Sequence, residues 1–182
     1  MTEHSIPRQI INVDFLTDIH RISCQVEVIN TGFIGLVNDV TNSLFSARNV
    51  YISRLNAPAK IVAHFEEAAL PKANLIVGLL SRREDLGPAS YLRGGASKVL
   101  PTQVFFTTHS FEIRATVEVV ARFDPDAILV GGGSGGGTGR FTVAYNGTIN
   151  SVFYPETPYI APALVINRTL VTHLAALAKG RA

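Results

Sequence analysis

Apolar and polar residues alternate with a period of two along Arg21–Ile29. Ile22, Cys24, Val26 and Val28 fall on one side, and Arg21, Ser23, Gln25 and Glu27 on the other. That period belongs to a strand buried on one face. Ile10–Phe15 alternates in part and is rich in β-branched residues, and a turn around Asp18 would close the two runs into a hairpin. After a break at Asn30-Thr31-Gly32 the period lengthens. Phe33, Leu36, Val37, Val40 and Leu44 recur at spacings of three and four, which predicts a short amphipathic helix with Thr31 as its N-cap. The strand signal returns from Leu44 to Leu55, centred on Val50-Tyr51-Ile52, and again at Leu75–Leu80. Residues 59–71 fit two readings: a helix carrying Ile61, Val62, Phe65, Ala68 and Ala69 and ending at Pro71, or a strand through KIVAHF.

The pattern resumes after a stretch rich in Gly, Pro and charge. Val104–Phe123 predicts a second hairpin, and Asp126–Val130 a continuation of the sheet. Arg140–Tyr145, Asn150–Tyr154 and Tyr159–Asn167 read as strands separated by turns. At the C-terminus Leu170, Val171, Leu174 and Leu177 stand at helical spacing, with Lys179 in the last turn and Gly180 suited to a C-cap. Laid instead on Leu70–Leu80, the same residues read as strand, so 168–179 stays open between helix and strand.

The two hairpins match residue for residue. VDFLTDIHRISCQVEV (13–28) and VFFTTHSFEIRATVEV (104–119) share seven of sixteen positions without a gap, at a separation of 91 residues. A second block aligns Asn38, Asn42, Ser43 and Phe45 with Asn146, Asn150, Ser151 and Phe153 at a separation of 108, and Tyr51-Ile52 with Tyr159-Ile160. The fold expected is mainly β with a few short helices: a tandem duplication of a small β-rich unit packed as a pseudo-two-fold pair. The units run from 10 to 80 and from 104 to 182, with a polar tail at 1–9 and a connector at 81–103. A Gly-rich insertion at about 124–140 belongs to the second copy. Each unit alone, at roughly 70 residues, is near the limit of independent stability.

Composition narrows the picture. Hydrophobic residues make up 47% of the 182 and charged residues 16%, a balance that predicts a packed core and not disorder. The net charge of +2 is small and the basic residues are scattered, so the chain lacks the footprint of a phosphate-backbone binder. A single cysteine, Cys24, excludes an intramolecular disulfide and any multi-cysteine metal site. No apolar run approaches the ~18 residues of a membrane helix. The first nine residues have no apolar leader core. Together these predict a cytoplasmic protein without membrane insertion.

Candidate chemistry is sparse. The run GGGSGGGTG at 131–139 satisfies G-x-G-x-x-G after an apolar stretch, and over some seven residues it resembles the Gly-rich phosphate loop of the tubulin/FtsZ family. The resemblance implies phosphate contacts from Gly133, Ser134, Gly135 and Thr138. The residues that follow, RFTVAY, read as a strand and not as the helix whose dipole holds an anion, and no lysine completes a Walker motif. The alternative is a hairpin tip inside an insertion. The connector arginines Arg82, Arg83 and Arg93 form the second candidate, for phosphate or carboxylate groups. The five histidines show no metal-ligand spacing. Cys24 lies on the apolar side of its strand, as a small buried hydrophobe does. No catalytic constellation, metal site or cofactor is expected. The reading is a non-enzymatic binding or assembly module acting through a protein partner or self-association. A small-molecule or nucleotide-binding regulatory domain built on 131–139 or the connector arginines is the alternative.

Overall fold

The computed structural model describes residues 8–88, 92, 98–130 and 139–178. Ten strands form one antiparallel sheet: β1 (Gln9–Leu16), β2 (His20–Val28), β3 (Leu44–Arg54), β4 (Ala57–Pro71), β5 (Val77–Leu80), β6 (Leu100–Thr108), β7 (Phe111–Val119), β8 (Phe141–Ser151), β9 (Tyr159–Asn167) and β10 (Val171–Ala176). Two short helices, α1 (Gly32–Asn38) and α2 (Pro125–Leu129), stand between strands. The mainly β expectation holds. The positions left open are strands: 59–71 falls in β4, and the C-terminal run becomes β10, paired with β6 from Val171 to Ala176. The helical alternative loses there because an edge strand facing water need not alternate, and the pairing of Leu174 with Phe106 and of Leu70 with Phe45 outweighs the weak spacing signal. Two further expectations are corrected. Asp126–Val130 does not extend the sheet. It lies in and just beyond α2, where Asp124 Oδ1 accepts from the Asp126 and Ala127 amides and Pro125 occupies the first turn. Arg140–Tyr145 and Asn150–Tyr154 are not separate strands, because β8 runs through both to Ser151, bent at Asn146 (φ 50°). The helix predicted after Thr31 ends at Asn38, short of Val40 and Leu44, and Thr31 makes no side-chain cap bond.

From one edge to the other the strand order is β10-β6-β7-β8-β9-β5-β1-β2-β3-β4. The internal order of β1–β5 thus recurs in β6–β10, and the two sets meet where β9 pairs with β5. Registers recur as well. Val13 faces Cys24 in the first hairpin, and Val104 faces Ala115 in the second. Ile22 pairs with Ile52, and Ile113 with Ile149. Both β3 and β8 carry an asparagine at positive φ where the ladder slips, Asn49 (φ 49°) and Asn146. These registers keep the hairpin separation of 91 but not the separation of 108. Asn38–Phe45 leads from the end of α1 into β3, whereas Asn146–Phe153 spans the second half of β8 and the turn after it. The identities shared by those two blocks occupy different structural places.

The sheet carries a core on each face. Val13, Leu80, Ala163 and Tyr145 pair in a row across β1, β5, β9 and β8, so their side chains share a face. They belong to a buried cluster with Phe15, Phe33 and Phe45, whose rings lie 5.8 and 5.4 Å from that of Phe15. The alternate residues Leu79, Leu164 and Ala144 pair in the neighbouring row and join Val104, Phe106, Phe111 and Ile113 in a second cluster on the opposite face. Strands β5, β8 and β9 are therefore buried on both sides. Asn38 fastens α1 to the head of β8, donating to the Phe141 carbonyl at 2.9 Å and accepting from its amide at 2.7 Å. Gly32 (φ 69°) packs so closely on the connector that a Cβ there would lie 2.2 Å from the Gly87 Cα.

Candidate functional site

The residues left unpartnered by this topology lie at its two edges. At one end the 15-residue β4 pairs with β3 on one side and, among the described residues, with no strand on the other; at the opposite end the six-residue β10 pairs only with β6. An open edge presents unpaired backbone N–H and C=O groups and is a template for another strand. β4 extends this surface into an arm. Its first eleven residues are exposed or half-buried, and Ile61 (57% exposed), Val62 (47%) and Phe65 (47%) face water. Phe65 pairs with Val50 and Ile61 with Ser53, which lie on opposite faces of β3, so the arm carries apolar residues on both faces. On β3, Tyr51 stacks on His64 of β4 at 4.3 Å and 12°. The hairpin β8–β9 has the same place in the other set of strands, but there Phe141, Val143, Tyr145, Ala163 and Val165 are buried against α1, β1 and β2. Charged edge residues and Pro71 at the end of β4 restrain indiscriminate pairing.

The sequence-derived candidates are placed as follows. Arg82 donates to Asp85 at 2.6 Å, and Asp85 is almost buried. Arg83 donates to Asn146 Oδ1 at 2.8 Å and lies over the Tyr145 ring, 4.8 Å from its centroid. Both arginines therefore fasten the connector, Arg83 to β8, and they do not converge on a common space. Arg93, Gly133, Ser134, Gly135 and Thr138 lie outside the described residues. Cys24 is buried, and desolvation, with Asp14 nearby, pushes its thiol up to about 12, which keeps it protonated and unreactive. Ser110, fully buried, donates to Asp18 Oδ1 at 2.5 Å and ties the turn of one hairpin to that of the other. Among the described residues no group of His, Cys, Asp and Glu is arranged to hold a metal ion. No helix among them is long and apolar enough to cross a membrane.

Two polar clefts were not foreseen. One, of about 430 Å³, lies beside Gly139 and is lined by Asp39, Lys72, Arg140 and Arg168. Its buried cations serve the backbone. Lys72 Nζ donates to the Asp39 carbonyl at 2.8 Å, and Arg168 donates to the Ile128 and Gly139 carbonyls. Burial lowers the pKa of both, Lys72 and Arg168, from their ordinary values. The Asp39 carboxyl is held down to about 2 by hydrogen bonds from Thr41 and Asn42. The other cleft, of about 310 Å³, crosses the outer face of β1–β3. It holds the Asp14–Arg21 ion pair at 2.7 Å and a Gln25 side chain bonded to Asn12 and Asn49. Both clefts combine residues far apart in sequence, so no local motif announces them. Comparison of the chain with known protein families, with curated proteins and with solved structures finds no match.

Proposed function

We propose that this chain is a tandem duplication of a five-strand unit that works as an assembly module, joining a protein partner through its open sheet edges. Support for the duplication comes from the recurring strand order, the hairpin registers 91 residues apart and the paired asparagines at the β3 and β8 bulges. The observation that carries the assembly reading is the β3–β4 arm. Among the described residues it has no strand on the outer side of β4, and it carries apolar residues on both faces, whereas its counterpart β8–β9 is covered on both. A long open edge with exposed Ile61, Val62 and Phe65 is the form of a strand-addition surface. Substituting Ile61→Lys and Phe65→Lys tests this. Both sites are exposed, so the fold is retained, while strand addition and any complex recovered from the native source are lost. Unchanged complexes with both variants would overturn the reading.

A second reading, small-molecule or nucleotide binding, rests on the cleft that Lys72, Arg140 and Arg168 line beside Gly139. Titration calorimetry with inorganic phosphate and nucleotides against Arg140→Ala decides it, because Arg140 is the exposed cation of the three and its guanidinium donates to the Thr169 hydroxyl at the surface. Binding that is absent, or unaffected by the substitution, removes it.

A further inference from the structure

The β9–β5 junction inside the chain is itself one strand of a five-strand unit added to the edge of another. Val77, Gly78, Leu79 and Leu80 pair with Ile166, Val165, Leu164 and Ala163. Each partner of that junction has a counterpart at an edge of the sheet. Gly78 faces Phe15 across β1–β5 as Leu174 faces Phe106 across β6–β10, so β10 is the β5 of the second unit. Val165 faces Val143 across β8–β9 as Ala69 faces Ser46 across β3–β4, so β4 is the β9 of the first. We infer that β10 of one molecule adds to β4 of a second copy, head to tail, repeating outside the chain the junction that joins its halves. This rests on the assembly reading above and names the partner as a second copy. The register follows residue by residue: His173 opposite Leu70, Leu174 opposite Ala69, Ala175 opposite Ala68 and Ala176 opposite Glu67.

The strand count fixes the geometry of such an assembly. Five antiparallel strands separate each unit from the next. Five is odd, so corresponding strands run in opposite directions, as β1 and β6 do, and corresponding apolar faces lie on opposite sides of the sheet. The operation between units is a half-turn about an axis across the strands combined with a shift of five strands, roughly 24 Å at ~4.8 Å per strand, and applied twice it carries one molecule onto the next, roughly 48 Å along the sheet with no net half-turn. It never returns a molecule onto its own partner, so it makes chains or rings and not closed two-fold dimers. Small residues at 68, 69, 175 and 176 leave the backbones free to approach.

The external junction is weaker than the internal one for two reasons visible in the sequence. Asn167 donates its amide to the Ile76 carbonyl at the end of the internal ladder, and Pro71, in the same place on β4, has no N–H. Phe141, Val143 and Tyr145 fill the first core beside the internal junction, whereas Leu44, Ser46 and Arg48 hold those places on β3 and are exposed. The association is therefore reversible and concentration-dependent.

Cross-linking in register tests the inference. Paired residues across antiparallel strands have Cα atoms about 4.5–5.5 Å apart, within disulfide reach. In a background with Cys24→Ala, Ala69→Cys and Leu174→Cys variants are mixed and oxidised under equilibrating thiol conditions. The mixture forms a disulfide dimer at least tenfold more abundantly than Ala69→Cys mixed with Thr172→Cys, two residues out of register. Equal yields from the two mixtures would overturn the register, and no dimer from either would overturn the pairing. Sedimentation velocity of the unmodified chain over a hundredfold concentration range supplies the second measurement. A sedimentation coefficient that rises with concentration, and that Ala176→Glu lowers to the monomer value by placing a carboxylate opposite Glu67, agrees with the inference. A monomer throughout overturns the second copy as partner. If Ile61→Lys and Phe65→Lys still abolish a complex with another protein, the edge reading survives that result. If they do not, both fall.

Discussion

Phe141 and Leu44 head corresponding strands, β8 and β3, and the difference between them measures how far the two halves share a core. Phe141 is fully buried in the cluster built by β1, β2 and α1, although it belongs to the other half of the chain. Leu44 is 46% exposed. Truncating a buried phenylalanine to alanine removes its transfer free energy and leaves a cavity, a cost of about 3–5 kcal/mol. At a urea m-value of ~2 kcal/mol/M, the upper-middle range for small proteins, Phe141→Ala lowers the unfolding midpoint by roughly 1.5–2.5 M. Leu44→Ala, half solvated already, costs under ~1 kcal/mol and lowers it by less than ~0.5 M. The assay is urea unfolding followed by far-UV circular dichroism and by tyrosine fluorescence, available because the chain has five tyrosines and no tryptophan. Because the cluster spans both halves, Phe141→Ala shifts one coincident transition with m unchanged. Two separated transitions, with the first half retaining its midpoint, would refute the shared core. A midpoint shift equal to that of Leu44→Ala would refute the burial difference on which the edge assignment rests.

Three further outcomes are expected. Gly32→Ala places a Cβ against the Gly87 backbone at a positive φ, so it destabilises by at least ~2 kcal/mol, read as a drop in Tm of roughly 4–8 °C by calorimetry. Arg168→Ala strands the Ile128 and Gly139 carbonyls and costs about 2–4 kcal/mol in chemical denaturation, and Arg168→Lys recovers part of it, as one ammonium serves the Asp39 carbonyl at Lys72. Cys24 resists alkylation at pH 8 in the folded chain and reacts on unfolding. Its folded pKa is raised to about 12 from 9.0, so its contribution to stability is complete below pH 9 and is lost as pH rises from there toward 12, and Cys24→Ala flattens that limb of the stability profile.

The hairpins β1–β2 and β6–β7 were legible because each buries one face, so alternation and register speak together. β4 and β10 were not. Their Ala-rich runs, EEAAL and THLAALA, satisfy both periods, and a strand lying at the margin of a sheet has no buried face to impose a period of two. α2 was announced by Asp124 followed by Pro125, a capped helix start, but a five-residue helix carries too few turns to show an apolar stripe. The block matched at a separation of 108 misled because asparagine suits both the end of a helix and a bulge at positive φ, and identity alone does not say which. As for the site, Arg82 and Arg83 were visible as charges with Asp85 an acid three residues from Arg82, while Asn146 as the partner of Arg83 follows only from the fold. Which strands are edges depends on sheet order, a long-range property that no window of sequence contains.

Under the proposed duplication, the two-sided burial of β8 and β9 also explains where the resemblance between the halves fades. The hairpins facing a like environment in both copies have kept alike residues. On that proposal, strands β4 and β9 began with the same sequence but met different surroundings: one was enclosed and restricted to Ala163, Leu164, Val165 and Ile166, and the other was left at the margin, where Glu67 and Ala69 are exposed. Drift between the copies is, on that proposal, a record of enclosure, and the exposed positions 67 and 69 are where substitutions should accumulate most freely unless something in solution covers them.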